Sequence, residues 1–439
     1  MVITNDVIPK IIVVGGGAGG LELATKLGKK LGKKSKADIT LVDNTQTHVW
    51  KPLLHEVAAG TLDSHQDEIE YLGQAMHSGF RFRLGKMDSL DRKNKTITLA
   101  ATSNAGGEEI IPRRSFDYDY LIIAVGSISH DFNIKGVAEH CSFIDTTTQA
   151  ESFQTQLLEA YFRAHTQTRP IDKGQLDIAI VGAGATGVEL SAQLHEVTHL
   201  LSAYGLDEVE ATDIKISIIE AADRLLPGLP KKLSVATAAE LTKLGVNLLT
   251  NERVVEVTAD HIKTESGKII SATIKVWAAG IKAPSFLSGL NLETNAINQL
   301  IVKQSLQVTL DEDIYAIGDC AACPWLGHEG NVPPRAQAAH QMASLVYKSI
   351  INRMTDKPLP DYHYHDHGSL VSLGKYSAVG NMMGNLSKGS LMIEGFLARM
   401  MYLSLYKMHQ IALFGFFRVG MLSLSHLFRR SVHPKIKLH

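Results

Sequence analysis

Cysteine is scarce: three in 439 residues. That is too few for a disulfide framework, and the odd count points to a reducing compartment. Proline is sparse too, 13 against 36 glycines, and with 45% apolar and 20% charged residues this excludes a disordered, collagenous or fibrous chain. Neither sign of charge prevails. Forty-four Lys+Arg against 45 Asp+Glu leave a formal net charge of -1, so no overall basic excess draws the chain to nucleic acid. No charge-free apolar run reaches the roughly 18 residues that a bilayer span requires. The most apolar region, 395–428, is interrupted by Arg399, Lys407 and Arg418. The first nine residues carry neither a basic nor an apolar stretch, so neither a signal peptide nor a transit peptide is expected.

The length allows two or three domains at about 100 to 200 residues each. Charge is unevenly placed along it. Residues 388–439 hold eight Lys/Arg and one acid, Glu394, making a basic tail on an acidic body. The main internal feature is a repeat. The β-branched run 10–14 leads into Gly15, Gly17 and Gly20, and the run 178–181 leads into Gly182, Gly184 and Gly187. Each reads as a buried parallel strand followed by a helix, over 21–31 and 188–201. A second strand follows in each copy, 38–43 ending on Asp43 and 213–220 ending on Glu220. The longer interval in the second copy calls for a longer helix or an insertion between Leu194 and Thr212. Further strands are expected at 96–99, 120–125, 254–258, 273–277 and 314–317, and a hairpin or loop at 104–114. A helix is expected over 335–351, after two prolines that suit a first turn. Residues 362–367 alternate like a strand, and Gly-rich turns follow as far as Gly395.

In a Gly-x-Gly-x-x-Gly loop between strand and helix, the backbone can approach a pyrophosphate. The free helix N–H groups point at it, and an acid ending the next strand can bind ribose hydroxyls. One such motif is weak evidence. Two complete copies, each with its acid, predict an α/β chain with two Rossmann-like dinucleotide-binding domains.

With these motifs and five further landmarks, the sequence resembles the two-dinucleotide-binding-domain flavoproteins, and among them the type II NADH:quinone oxidoreductases. The landmarks are HVWKPLL at 48–54, LIIAVG at 121–126, VWAAG at 276–280, IYAIGD at 314–319 and AQAAHQ at 336–341. The last is the most specific. The resemblance implies an FAD-binding domain formed by 1–137 and 303–358, an NADH-binding domain at 138–302, and a C-terminal amphipathic membrane-anchoring region at 359–439. It implies that Gly15, Gly17, Gly20, Asp43, Lys51, Gly126, Gly318 and Asp319 hold FAD, while Gly182, Gly184, Gly187, Glu220 and Gly280 hold NADH. A carboxylate at the ribose repels a 2′-phosphate, so Glu220 should favour NADH over NADPH, with Arg224 nearby to blunt the preference. The helix after Pro334 would aim its positive end at the flavin, favouring the reduced form.

The same resemblance assigns Gln337 and Gln341, four apart on one helix face, to a quinone, ubiquinone or menaquinone. Glu189 is either an acid near the nicotinamide and quinone or a carboxylate stabilising its own helix. Lys375 is either a cation near the quinone or a surface lysine. His363, His365 and His367 alternate as strand neighbours do, but no carboxylate or cysteine is spaced to complete a metal site, and none is expected. Cys320 and Cys323 read as incidental buried thiols, with a redox pair as the alternative.

The tail supports a lipid-soluble substrate. On one helical wheel, Arg399, Lys407, Arg418 and Arg429 fall within about a third of the circumference, opposite an apolar side with seven aromatics between 396 and 428. Such helices lie in the surface of an anionic bilayer, and Gly415 and Gly420 suggest two helices. The reading is a non-proton-pumping respiratory enzyme, peripheral on the cytoplasmic face of the bacterial inner membrane, that takes hydride from NADH and reduces a quinone. The resemblance also implies a homodimer. The rivals are a sulfide:quinone oxidoreductase of the same fold and a non-catalytic, membrane-bound nucleotide sensor.

Overall fold

The structure, a computed structural model, describes residues 8–104, 106–172, 174–201, 204, 208–209, 213–374, 377–382, 391–394 and 396–429. Contacts divide the chain into two compact units. The first comprises 1–50, 68–128 and 281–366, and the second 51–67, 129–280 and 367–439.

The first unit is built on a five-stranded sheet in the order Ile314–Ala316, Tyr120–Ile123, Lys10–Val14, Asp38–Asp43, Arg81–Leu84. All neighbours in it are parallel. A parallel strand is covered on both faces, which accounts for the near-continuous Ile/Val runs. Ile11, Val13, Leu41, Ile122 and Ile123 are fully buried. The second unit repeats the plan with four parallel strands ordered Asn247–Leu249, Ile216–Ile219, Ile178–Val181, Ile274–Trp277. Each unit adds a three-stranded antiparallel sheet, Met87–Asp91 with Thr96–Leu99 and Arg114–Asp117 in the first, and Val254–Val257 with His261–Thr264 and Ile269–Ser271 in the second.

Both loop helices begin earlier than hydrophobic periodicity indicates, at Ala18–Lys30 and Ala185–Leu201. The last glycine of each motif already lies in the first turn, where small residues leave no apolar pattern to read. The expected hairpin over 104–114 contains the antiparallel pair Thr102–Ser103 and Glu109–Ile111.

Among the described residues, 362–367 pair in no ladder; Tyr362 and Tyr364 are buried, and the three histidines between and after them are exposed. Strand pairing starts at Gly368. In the stretch before 395 where turns are expected, the described residues form a three-stranded antiparallel sheet, Gly368–Leu373, Ser377–Met382 and Leu391–Glu394, while 375–376, 383–390 and 395 lie outside the described residues. Gly and Asn in these strands hide the alternation that marks a sheet. The helix Phe396–Phe414 packs on this sheet. It ends at Gly415, whose φ of +83° suits a glycine stop, and Phe416–Arg429 forms a second helix that passes through Gly420 unbroken. A single wheel therefore cannot align Arg399 and Lys407 with Arg418 and Arg429. Lys407 is half-buried and donates to Gln410 Oε1 at 3.0 Å, whereas Arg418 is exposed. The side chains of Arg399 and Arg429 lie outside the described residues. Among the described residues no helix is long and apolar enough to cross a membrane.

Candidate functional site

Two loops of the same geometry carry the glycine motifs. Gly15 and Gly182 each have φ +103°, and a Cβ on either would collide with backbone, at Ala124 in the first unit and Ala278 in the second. Gly20 packs on the Gly15 carbonyl, and Gly187 on the Gly182 carbonyl, too closely for a side chain. The middle glycines differ: a Cβ on Gly17 or Gly184 would meet open space. The outer glycines thus serve the turn and the helix packing, while the middle one leaves its backbone open to a phosphate. No side chain caps the helix after Gly17, so its first amides are not claimed by a capping group.

The acids close both loops in the same way. Asp43 Oδ2 accepts the Gly16 amide at 2.6 Å, and its Oδ1 accepts the Thr45 amide at 2.9 Å. Glu220 Oε2 accepts the Ala183 amide at 2.7 Å, and its Oε1 accepts the Ala222 amide at 2.8 Å. Residues of both loops therefore fit a dinucleotide. Arg224 donates to the Pro227 carbonyl at 2.8 Å. Gly280 has φ +66°, and the Phe132 ring occupies the space its side chain would need. Phe132 stacks on His130 with ring centres 4.3 Å apart.

In the first unit Gly126 and Gly318 take positive φ, +68° and +73°. Asp319 accepts Ser127 Oγ at 2.8 Å, and its carbonyl accepts Gln299 Nε2 at 2.8 Å. Gly318 donates to the Met342 sulfur at 3.2 Å, fastening this turn to the helix Ala336–Arg353. Cys320 and Cys323 are fully buried, and burial pushes both thiols up to about 12, so neither is a thiolate at neutral pH. Lys51 falls in the second unit, 3.8 Å from Asp145 Oδ1.

Gln337 and Gln341 do share a face of Ala336–Arg353, but both amides are engaged. Gln337 Nε2 donates to Asp366 Oδ1 at 3.2 Å, and Asp366 also receives Arg335 through both oxygens, at 3.1 and 3.0 Å. Gln341 Nε2 donates to the His365 carbonyl at 2.8 Å while its Oε1 accepts the His365 amide at 2.9 Å. The two glutamines hold the extended segment in place. One turn away, His340 Nδ1 meets Glu22, and Lys26 donates to the same carboxyl at 2.6 Å. Burial works to raise the Glu22 carboxyl, but these two neighbours outweigh it and hold it below the usual range.

Glu189 lies in the second unit, one turn into Ala185–Leu201, and is buried. Its Oε1 accepts the Ser372 amide at 3.0 Å, a partner outside its own helix, and its Oε2 is 3.5 Å from His55 Nδ1. Burial pushes Glu189 up to about 8 despite the Ser372 bond, with Glu56 adding to the rise. The same burial lowers His55 to about 4 and holds the Tyr402 phenol, beside Glu189, well above its usual value. His55 and Tyr402 are residues the sequence did not single out. His55 directly follows the 48–54 landmark, and Tyr402 was counted only among the tail aromatics. Lys375 lies outside the described residues.

A family model for pyridine nucleotide-disulphide oxidoreductases matches residues 9–343. A type II NADH:quinone oxidoreductase of Haemophilus influenzae is 42% identical over 443 residues, covering 98% of this chain and 99% of the relative. One from Staphylococcus aureus is 29% identical over 384 residues, covering 85% and 90%. Among solved structures, NDH2 from Plasmodium falciparum in complex with NADH shares the fold with a TM-score of 0.81 at 22% identity, covering 98% of this chain and 100% of that one. The sulfide:quinone oxidoreductase of Aquifex aeolicus has a TM-score of 0.72 at 18% identity, covering 93% and 92%. With its two glycine loops and their matching acids, the chain belongs to the pyridine nucleotide-disulphide oxidoreductases and, within them, to the type II NADH:quinone oxidoreductases.

Proposed function

We propose that this chain oxidises NADH with FAD as its cofactor and reduces a membrane quinone by two electrons, without moving protons across the bilayer. The observation that carries the reading is the pair of complete, separately closed dinucleotide loops in a chain of this family. FAD, when bound, supplies the hydride-accepting and electron-passing chemistry. The chain's own residues bind and orient. Gly15, Gly17, Gly20 and Asp43 hold the adenosine half of FAD, with Gly126, Gly318, Asp319 and Lys51 as further contacts. Gly182, Gly184, Gly187, Glu220 and Gly280 hold NADH. Gln337 and Gln341 present amides to the quinone, exchanging their present partners for it, and Lys375 adds a cation. Glu189, an acid that is mostly protonated at neutral pH, supplies a proton. The thiols argue against a sulfide-oxidising relative: Cys141, Cys320 and Cys323 are all pushed up to about 12 by burial.

The tail supports peripheral attachment to an anionic membrane through 396–439, on the cytoplasmic face. On Phe416–Arg429, Phe416, Leu424, Phe417 and Met421 are exposed and span about 140° of the helix, with Arg418 at one edge. A homodimer accords with the family.

Leucine at both Gln337 and Gln341 separates this reading from the nucleotide sensor. The double variant should keep flavin bleaching by NADH and lose reoxidation by quinone. Full quinone turnover would remove these residues from the quinone's path, and absence of flavin in the native protein would favour the sensor.

A further inference from the structure

His55 is buried between two carboxylates. Its Nδ1 lies 3.5 Å from Glu189 Oε2, and its Nε2 lies 4.0 Å from Glu56 Oε1. Only the Glu56 end is open to solvent: the side chains of Glu189 and His55 are 7% and 2% exposed, and that of Glu56 is 22% exposed. His55 Nε2 has no hydrogen-bond partner within normal distance among the described residues, an arrangement that a purely structural histidine gains nothing from. The Ser372 amide fixes one oxygen of Glu189, so the other is the one turned to the imidazole. The Tyr402 phenol stands against the same carboxyl, and a backbone hydrogen bond to Pro52 steadies the ring.

We propose that His55 and Glu56 form the route by which Glu189 regains a proton from solvent after giving one to the quinone. The inference rests on Glu189 acting as the acid. Reduction of a quinone to its quinol takes two electrons, which come from NADH, and two protons. One proton leaves the Glu189 carboxyl for a quinone oxygen and leaves a carboxylate. The Nδ1–H of His55 leaves the Pro52 carbonyl and gives its proton to Glu189 Oε2, as His55 Nε2 takes a proton that the Glu56 carboxylate has drawn from water. The imidazole is neutral before and after, with its tautomer exchanged, and resets when a side-chain movement opens the ring to water and the proton returns from Nε2 to Nδ1. Burial supports a neutral ring, because it lowers His55 to about 4 while raising Glu189 to about 8. The two gaps are slightly longer than hydrogen bonds, so each transfer requires a small side-chain movement.

The test uses the full-length flavin-loaded enzyme with His55→Gln, Glu56→Gln and Glu189→Gln, following flavin bleaching by NADH and its recolouring by a short-chain ubiquinone in H2O and D2O. His55→Gln should bleach at the native rate and recolour about ten- to a hundred-fold more slowly, with a larger solvent isotope effect and partial rescue by added imidazole. Native recolouring by His55→Gln, with Glu189→Gln slow, would overturn the route and leave Glu189 as the acid. Native recolouring by Glu189→Gln would overturn the acid itself. If His55→Gln does not fold, Glu56→Gln decides: slowed recolouring supports the route, and an unchanged rate overturns it.

Discussion

Asp43 and Glu220 occupy the same position in two separately built sheets. Each follows or ends the second strand, and each accepts the amide of the residue after the first loop glycine, Gly16 at 2.6 Å and Ala183 at 2.7 Å. The wider spacing in the second copy leaves this geometry unchanged; Ala185–Leu201, 17 residues against 13 in Ala18–Lys30, takes up part of it. Glu220→Ser keeps a polar side chain and removes the charge that repels a 2′-phosphate. The ratio of kcat/KM for NADPH to that for NADH should rise about tenfold or more, about 1.4 kcal/mol of discrimination. Parallel kinetics with the two nucleotides check this, and an unchanged ratio would remove Glu220 from the ribose.

Gln341 is bonded to both backbone groups of His365, so its replacement should register in stability as well as in turnover. Gln341→Leu loses two hydrogen bonds at a partly exposed site, worth about 0.5–1.5 kcal/mol each. Thermal denaturation should show a lowered Tm alongside a raised KM for quinone, while the KM for NADH stays put. A raised quinone KM with an unchanged Tm would mean that the native enzyme does not keep these bonds.

Glu189 sets a pH window. As an acid with a value near 8, it is available below that pH and lost above it, so quinone reduction should fall as pH rises through about 8. Glu189→Gln should abolish that limb and lower turnover throughout. Stability follows the same sign. The unfolded carboxyl ionises near its ordinary value while the folded one stays protonated, so the stabilisation is complete at acid pH and is lost as pH rises toward about 8. Denaturant titrations should show Glu189→Gln to be less sensitive to pH over that window. His55 works in the opposite direction, its contribution being lost as pH falls from about 6.5 toward 4.

The exposed apolar band of the last helix gives a further test. Phe416→Ser with Phe417→Ser and Met421→Ser leaves Val419, which is buried, untouched. Co-sedimentation with anionic vesicles should drop sharply while NADH still bleaches the flavin in solution. Undiminished sedimentation would place membrane attachment elsewhere.

What was legible in the sequence follows from where the signal lies. The parallel strands were readable because burial on both faces demands unbroken Ile and Val, as in Ile178–Val181 and Lys10–Val14. The glycine loops were readable because each glycine answers a local steric demand. The surroundings of Glu189 were not readable. His55, Ser372 and Tyr402 come from three distant segments, and only the fold gathers them. Periodicity also misread 362–367, where alternate tyrosines are buried without a partner strand among the described residues. The pairing of Gln341 with His365 was equally hidden, since a glutamine that grips a backbone looks the same in sequence as one that awaits a ligand.

The most direct measurement is an anaerobic absorbance record of the purified protein during addition of NADH and then of a short-chain ubiquinone. The account predicts a bound-flavin band that NADH bleaches and the quinone restores. A flavin that NADH leaves coloured, or that quinone cannot restore once it is reduced, would contradict it.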